Sequence, residues 1–194
     1  MTDAWKHEDL PRKQLELNQK ELAGSYPPHW LSFLACLRQI SLKDLVVYDV
    51  GCGVGATYQL LRQEGISCRY IGFDFSESMI ETAKSTWNYD GFVVDDYSTT
   101  TRDFKDGVLY CNGLLDIMPD GVKELKTLLS FRAPYVILNR INLASSKQVR
   151  VYKAYNTIDC YEYTFDVTEF ARTFREMGYE NIYRDGNCFL LKKN

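Results

Sequence analysis

The chain has 194 residues, 45% of them hydrophobic and 14% aromatic. That length supports one well-filled core rather than two independent domains, and the aromatic content excludes a disordered chain. The formal net charge is -3 with lysine and arginine scattered along the chain, which disfavours nucleic acid as the main partner, and the longest apolar runs fall far short of a membrane span.

The first forty residues read as helical. Pro11 suits a first turn and Gly24 a helix stop. A second helix opens at Pro27-Pro28, and Trp30, Phe33, Leu34 and Leu37 recur on one face of it. Residues 1–40 are therefore expected to form a helical extension, either packed on the main domain or closing over it as a lid with Trp5, His7, Tyr26 and His29 near a substrate.

From residue 41 onward strands and helices alternate. Strands are expected at 45–50, 68–73, 91–94, 107–111 and 135–138, with helices at 55–64, 77–86, 121–130 and 167–177. Ser76 is a candidate N-cap, and Gly178 a helix stop. A closing hairpin is expected from 181–183 and 188–191, turning at Asp185-Gly186. This order implies an α/β three-layer sandwich. Its mainly parallel sheet carries helices on both faces, a C-terminal antiparallel hairpin and the N-terminal helical extension. Ligands of such sheets bind beyond the carboxyl ends of the strands.

The segment Asp49-Val50-Gly51-Cys52-Gly53-Val54-Gly55 ends a strand and opens a helix. Gly51 permits a tight turn, Gly53 lets a ligand lie against bare backbone, and Gly55 lets the helix start close to the sheet. A nicotinamide dinucleotide and S-adenosylmethionine both use such a turn. Asp49 tips the choice, because a carboxylate suits the ammonium of S-adenosylmethionine and repels a pyrophosphate. Asp74 lies about twenty residues further on, where an acid accepts hydrogen bonds from ribose hydroxyls of either cofactor.

The run Asp49-x-Gly51-x-Gly53-x-Gly55 resembles the DxGxGxG motif of class I S-adenosylmethionine-dependent methyltransferases at every fixed position. The resemblance spans roughly residues 45–192 and implies a seven-stranded sheet of methyltransferase type. It implies cofactor contacts at Asp49, Gly51, Cys52, Gly53, Gly55, Asp74, Phe75, Met79, Asp95, Asp96, Tyr97 and Cys111. Phe75 and Met79 fall beside the adenine, and Asp96, in preference to Asp95, takes the adenine amino group. The loop after the fourth strand then faces both sulfonium and acceptor, which makes Tyr110, Asn112 and Asp116 the candidates for catalysis, with Asp116 as a base. Many relatives carry a histidine near Asp116, and this chain does not. A Gly-Gly turn common before the fifth strand is replaced by Arg132-Ala133-Pro134-Tyr135.

Arg140, after the fifth strand, suits an anionic group of a substrate. Tyr152 and Tyr155 belong to a tyrosine-rich stretch expected either to wall the substrate pocket or to form a hairpin packed on the domain. No metal site is expected: the six cysteines fall singly, without a CxxC pair. They read as reduced thiols of a cytoplasmic protein, and the polar first 25 residues carry no secretory leader. The acceptor expected by exclusion is a small molecule or saccharide, methylated at oxygen or nitrogen. The metal-dependent catechol cluster, the Asn-Pro-Pro-Tyr loop and the paired-glutamate loop of other methyltransferases are all missing. The rival expectations are a non-catalytic scaffold on the same fold and a nicotinamide-dependent oxidoreductase.

Overall fold

A computed structural model describes residues 7–154 and 158–194. Helices α1 (Leu10–Ala23) and α2 (Pro28–Leu37) come first. The alternating part follows as β1 (Val46–Val50), α3 (Ala56–Gln63), β2 (Arg69–Asp74), α4 (Glu77–Trp87), β3 (Phe92–Val94) and β4 (Gly107–Asn112). A short 3₁₀ turn (Leu115–Ile117) leads to α5 (Gly121–Ser130) and β5 (Tyr135–Asn139). The remainder comprises β6 (Asn142–Ala144), β7 (Gln148–Ala154), β8 (Ile158–Asp166), α6 (Val167–Glu176), β9 (Tyr179–Asp185) and β10 (Cys188–Lys193).

Seven strands form one sheet in the order β3-β2-β1-β4-β5-β10-β9. The first five run parallel, and β10 pairs antiparallel with both β5 and β9. Strand order reverses between β1 and β4, and that switch opens a crevice beyond their carboxyl ends. The expected strands and helices fall within a few residues of the observed ones.

Alternation along the strands builds the two apolar layers. Val46, Tyr48 and Val50 of β1 and Leu109 and Cys111 of β4 face α5 and α6, where Leu125, Leu128, Phe170 and Phe174 cover them. Val47, Val108 and Tyr110 face the opposite way, against Phe33 and Leu34 of α2, Leu60 of α3 and Ile80 of α4. Helix α2 is thus part of the core. Helix α1 packs beside α3 and α4.

A second sheet, β6-β8-β7, was expected at most as a hairpin. Its central strand β8 pairs antiparallel with β7 and parallel with β6. The tip of this sheet reaches back to the glycine turn: Ala154, Ile158 and Cys160 form a small apolar cluster with Val54, Met79 and Leu10 of α1.

Candidate active site

The glycine turn is tied to the end of β2. Gly51 and Cys52 donate their backbone N–H groups to the Phe73 carbonyl at 2.8 and 3.1 Å, and Gly53 N–H donates to Asp74 Oδ2 at 3.0 Å. Gly51 and Gly53 have φ of 69° and 53°, a region that side chains resist. Gly55 (φ 77°) has a different duty: a Cβ there would lie 2.5 Å from the Phe92 ring. Gly55 therefore lets α3 start against the sheet and does not line the cavity beyond the turn.

That cavity has a volume of about 410 Å³, within the range usual for small-ligand sites. Asp49, Gly51, Cys52, Gly53, Asp74, Phe75, Met79, Asp95, Asp96 and Tyr97 line it, as do Asn112, Arg140 and Tyr152. Asp49 is 2% exposed. Tyr70 Oη donates to its Oδ2 at 2.6 Å, Thr57 supplies a further hydrogen bond, and burial still pushes its pKa up to about 6. Asp74 accepts from Ser76 N–H at 2.9 Å as well as from Gly53, and burial raises it too. Asp95 accepts from Thr100 Oγ1 at 2.8 Å and faces Arg102 at 3.5 Å, whereas Asp96 accepts from Ser98 N–H and Oγ at 2.9 and 2.7 Å. The Tyr97 hydroxyl is turned away to Glu124 at 2.6 Å, so the ring is what Tyr97 offers a ligand.

Three sequence-predicted residues lie elsewhere. Tyr110 is fully buried, two residues deeper along β4 than Asn112, with its ring stacked 3.9 Å from that of Phe33. Its hydroxyl accepts from Asn139 Nδ2 at 3.3 Å, so it is a core residue rather than a catalytic one. Cys111 points to the α5–α6 side of the sheet and is buried there. Asp116 sits in an adjoining cleft with His29, Ser32 and Asn142 rather than on the cofactor cavity. Tyr155 and Trp5 lie outside the described residues.

Arg140 and His29 line both the cavity and the cleft. Arg140 has φ of 63°, an uncommon conformation for a residue with a side chain. Asn139 holds it there: Asn139 Oδ1 accepts from Arg140 N–H at 3.0 Å, and Asn139 Nδ2 donates to the His29 carbonyl at 2.8 Å. The Arg140 guanidinium lies 3.5 Å from Asp116 Oδ2, and burial raises the pKa of Asp116 against the pull of that cation. Burial, assisted by the Arg140 charge, lowers His29 to about 4, so its imidazole is neutral at neutral pH. This histidine arrives from α2 and fills, in space, the gap noted near Asp116 in the sequence.

The lid alternative for residues 1–40 named none of the α1 residues that face the cavity. Gln14, Leu17, Asn18 and Glu21 lie on one face of that helix and form a wall of the cavity. Their polarity disguises them, because a polar helix face ordinarily faces water. Among the described residues, five buried side-chain atoms have no hydrogen-bond partner: Gln14 Oε1 and Asn112 Oδ1 on residues that line the cavity, Asp116 Oδ1 in the cleft, and Arg102 Nε and Tyr163 Oη on residues that line neither; for the acceptors this is costly unless a ligand supplies a donor. The backbone at Gly53 is not bare as expected, because the Gln14 side chain lies over it; the buried acids and orphaned acceptors around the turn suit a ligand that carries an ammonium and ribose hydroxyls. No group of metal-ligating side chains is present among the described residues.

Residues 47–130 match a family described as a methyltransferase domain. The chain is 30% identical over 90 residues to trans-aconitate 2-methyltransferase of Methylobacterium radiotolerans, covering 46% of this chain and 35% of that protein. It is 30% identical over 138 residues to ubiquinone biosynthesis O-methyltransferase of Coxiella burnetii, covering 67% of this chain and 55% of that one. The chain thus spans about a third to a half of the length of these curated relatives. Magnesium protoporphyrin IX methyltransferase of Synechocystis, solved with S-adenosylmethionine bound, superposes with a TM-score of 0.62 at 16% identity, over 99% of this chain and 90% of that one. A methyltransferase of Clostridium acetobutylicum superposes with a TM-score of 0.66 at 11% identity, over 94% and 98% of the two chains. Those two likenesses are of fold, and they agree with the family match and with the glycine turn. The chain belongs to the class I S-adenosylmethionine-dependent methyltransferases.

Proposed function

We propose that this chain transfers a methyl group from S-adenosylmethionine to an oxygen or nitrogen of a small-molecule or saccharide acceptor, and that Arg140 holds an anionic group of that acceptor. The observation that carries this reading is the division of charge in one cavity. Asp49, Asp74, Asp95 and Asp96 gather at the glycine-turn end, and Arg140 stands on the acceptor side. The curated relatives named above for trans-aconitate and for ubiquinone biosynthesis support a small-molecule acceptor.

Asp49 opposes the cofactor ammonium. Asp74 accepts from the ribose with the lone pairs that Gly53 and Ser76 leave open, Asp96 takes the adenine amino group, and Phe75 and Met79 flank the adenine. When bound, the cofactor supplies an electrophilic methyl group on a sulfonium that leaves as a neutral thioether. The protein therefore has no new anion to stabilise, and positioning supplies most of the acceleration. Asn112 Oδ1 accepts from the nucleophilic hydroxyl or amine and orients it. Asp116 keeps the Arg140 fork aimed. An acceptor anion at Arg140 offsets the charge that depresses His29, which lets the neutral imidazole take the proton of an acceptor hydroxyl. Tyr152 walls the acceptor side. The six free thiols, five of them buried, support a reducing, cytoplasmic setting.

Release of S-adenosylhomocysteine by the full chain, over a panel of hydroxyl and amine compounds with and without a carboxylate or phosphate, tests the proposal. Turnover is expected for anionic compounds. Arg140→Ala should raise KM for them by roughly ten- to a hundredfold, the loss of one charge-assisted contact of about 1.5–3 kcal/mol. Equal turnover of neutral compounds, indifferent to Arg140→Ala, would contradict it.

A further inference from the structure

The wall of the cavity opposite the glycine turn belongs to α1, a helix with few apolar anchors. Leu10, Pro11 and Leu22 are its buried residues. The face it turns to the cavity is polar, with Gln14, Asn18 and Glu21 at i, i+4 and i+7. Leu17 lines the cavity beside them, and Asn18 Nδ2 donates to Glu21 Oε2 at 3.0 Å, which leaves Gln14 as the residue of this face with an unpartnered polar atom.

Gln14 is the sharpest case. Its carboxamide sits over the middle glycine of the turn: a Cβ on Gly53 would fall 2.5 Å from Gln14 Oε1 and 2.9 Å from Nε2. The absence of a side chain at Gly53 is what admits the amide. Yet Gln14 Oε1 is buried without a hydrogen-bond partner. It therefore waits, at van der Waals range of the turn, for a donor that the protein does not provide.

We infer that Gln14 binds the methionyl end of the cofactor, its Oε1 accepting from the ammonium and its Nε2 donating to the carboxylate. A carboxamide offers one acceptor and two donors and no charge, which suits a zwitterion whose net charge is zero. Asp49 and Glu21 line the same cavity and bring negative charge to it. Helix α1 is then part of the cofactor site, and Gln14 distinguishes ligands that carry the amino-acid end from nucleosides that lack it. The inference rests on the cofactor reading and goes beyond it by assigning a residue outside the glycine-turn motif.

Calorimetric titration of the full chain with S-adenosylhomocysteine and with 5′-methylthioadenosine separates the two parts of the ligand. The first carries the amino-acid end, and the second shares only the nucleoside. Gln14→Ala should weaken S-adenosylhomocysteine about tenfold and leave 5′-methylthioadenosine within twofold. Gln14→Glu should retain the fold and weaken S-adenosylhomocysteine selectively as well, because its carboxylate faces the ligand carboxylate; it serves if the alanine variant melts early. An equal loss for both ligands would assign Gln14 to packing of α1 and overturn the inference. So would an unchanged affinity for S-adenosylhomocysteine. Failure of the unmutated chain to bind either ligand would instead overturn the cofactor reading itself.

Discussion

Asp49 is buried beside Tyr70 and Thr57 at the floor of the cavity, and burial moves its pKa from 3.8 up to about 6. A raised carboxylate destabilises the fold when ionised: its unfavourable contribution is absent below about pH 4 and grows as pH rises through 6. The shift corresponds to about 3 kcal/mol at most. Asp49→Asn should therefore raise the melting temperature of the ligand-free chain at pH 8, with the amide oxygen still accepting from Tyr70, while it weakens S-adenosylmethionine at least tenfold. That exchange of stability for binding is common at functional sites. Affinity for S-adenosylmethionine should also fall as pH drops below 6, by up to about tenfold per unit, and Asp49→Asn should flatten the profile. His29 titrates with the opposite sign: its depressed folded value favours the fold above the ordinary histidine range, and that support is lost as pH falls toward 4. Tyr110 belongs to the same scale with a different lesson. Tyr110→Phe removes one hydrogen bond, should cost about 1 kcal/mol of stability, and should leave methyl transfer within about twofold. A kinetic loss of a hundredfold with intact folding would restore Tyr110 to the chemistry.

Among the elements, those buried on both faces were legible from the chain alone. Strands β1, β4 and β5 are short apolar runs, and α5 is bounded by Asp120, whose carboxylate accepts from Lys123 N–H at 3.2 Å. Helix α6 is capped in the same way by Asp166 on Glu169 N–H at 2.8 Å, and Asp166→Ala should cost about 1 kcal/mol in a denaturant titration. The hairpin alternative for the tyrosine-rich stretch corresponds to β7 and β8, whereas β6, a three-residue strand that joins the far side of β8, was not read from the chain. The site divides along the same line. The motif at Asp49–Gly55 and Asp74 is local in sequence and could be read directly. Gln14 and His29 come from helices that meet the cavity only through tertiary packing, and Tyr110 and Cys111 differ from Asn112 by depth and side of one strand. Helix α1 and the tip of β7–β8 share the cluster of Leu10 with Val54, Met79, Ala154 and Ile158. Leu10→Ala should loosen that roof before the core. Amide exchange along α1 should quicken at least tenfold while β1 and β4 stay protected, as expected for local opening.

At the scale of the whole molecule, the parallel sheet and its two helical layers form a stiff platform, and the ligand-facing parts are attached at one edge. The acids of the glycine turn, the orphaned oxygens of Gln14, Asn112 and Asp116, and the positive-φ Arg140 all lie at that edge. Their costs are borne by the core and offset when a ligand binds. A ligand bound only by the folded chain stabilises it by about 2.7 kcal/mol at a hundred times its Kd. Calorimetric titration of the unmutated chain and of Gly53→Arg, with S-adenosylhomocysteine and with NAD, tests the central claim most directly. One equivalent of S-adenosylhomocysteine should bind the unmutated chain, NAD should give no heat, and Gly53→Arg, which displaces the Gln14 carboxamide from over the turn and puts a long side chain into the cavity, should abolish the signal. Binding of NAD, or S-adenosylhomocysteine binding that survives Gly53→Arg unchanged, would contradict an adenosyl site at the glycine turn.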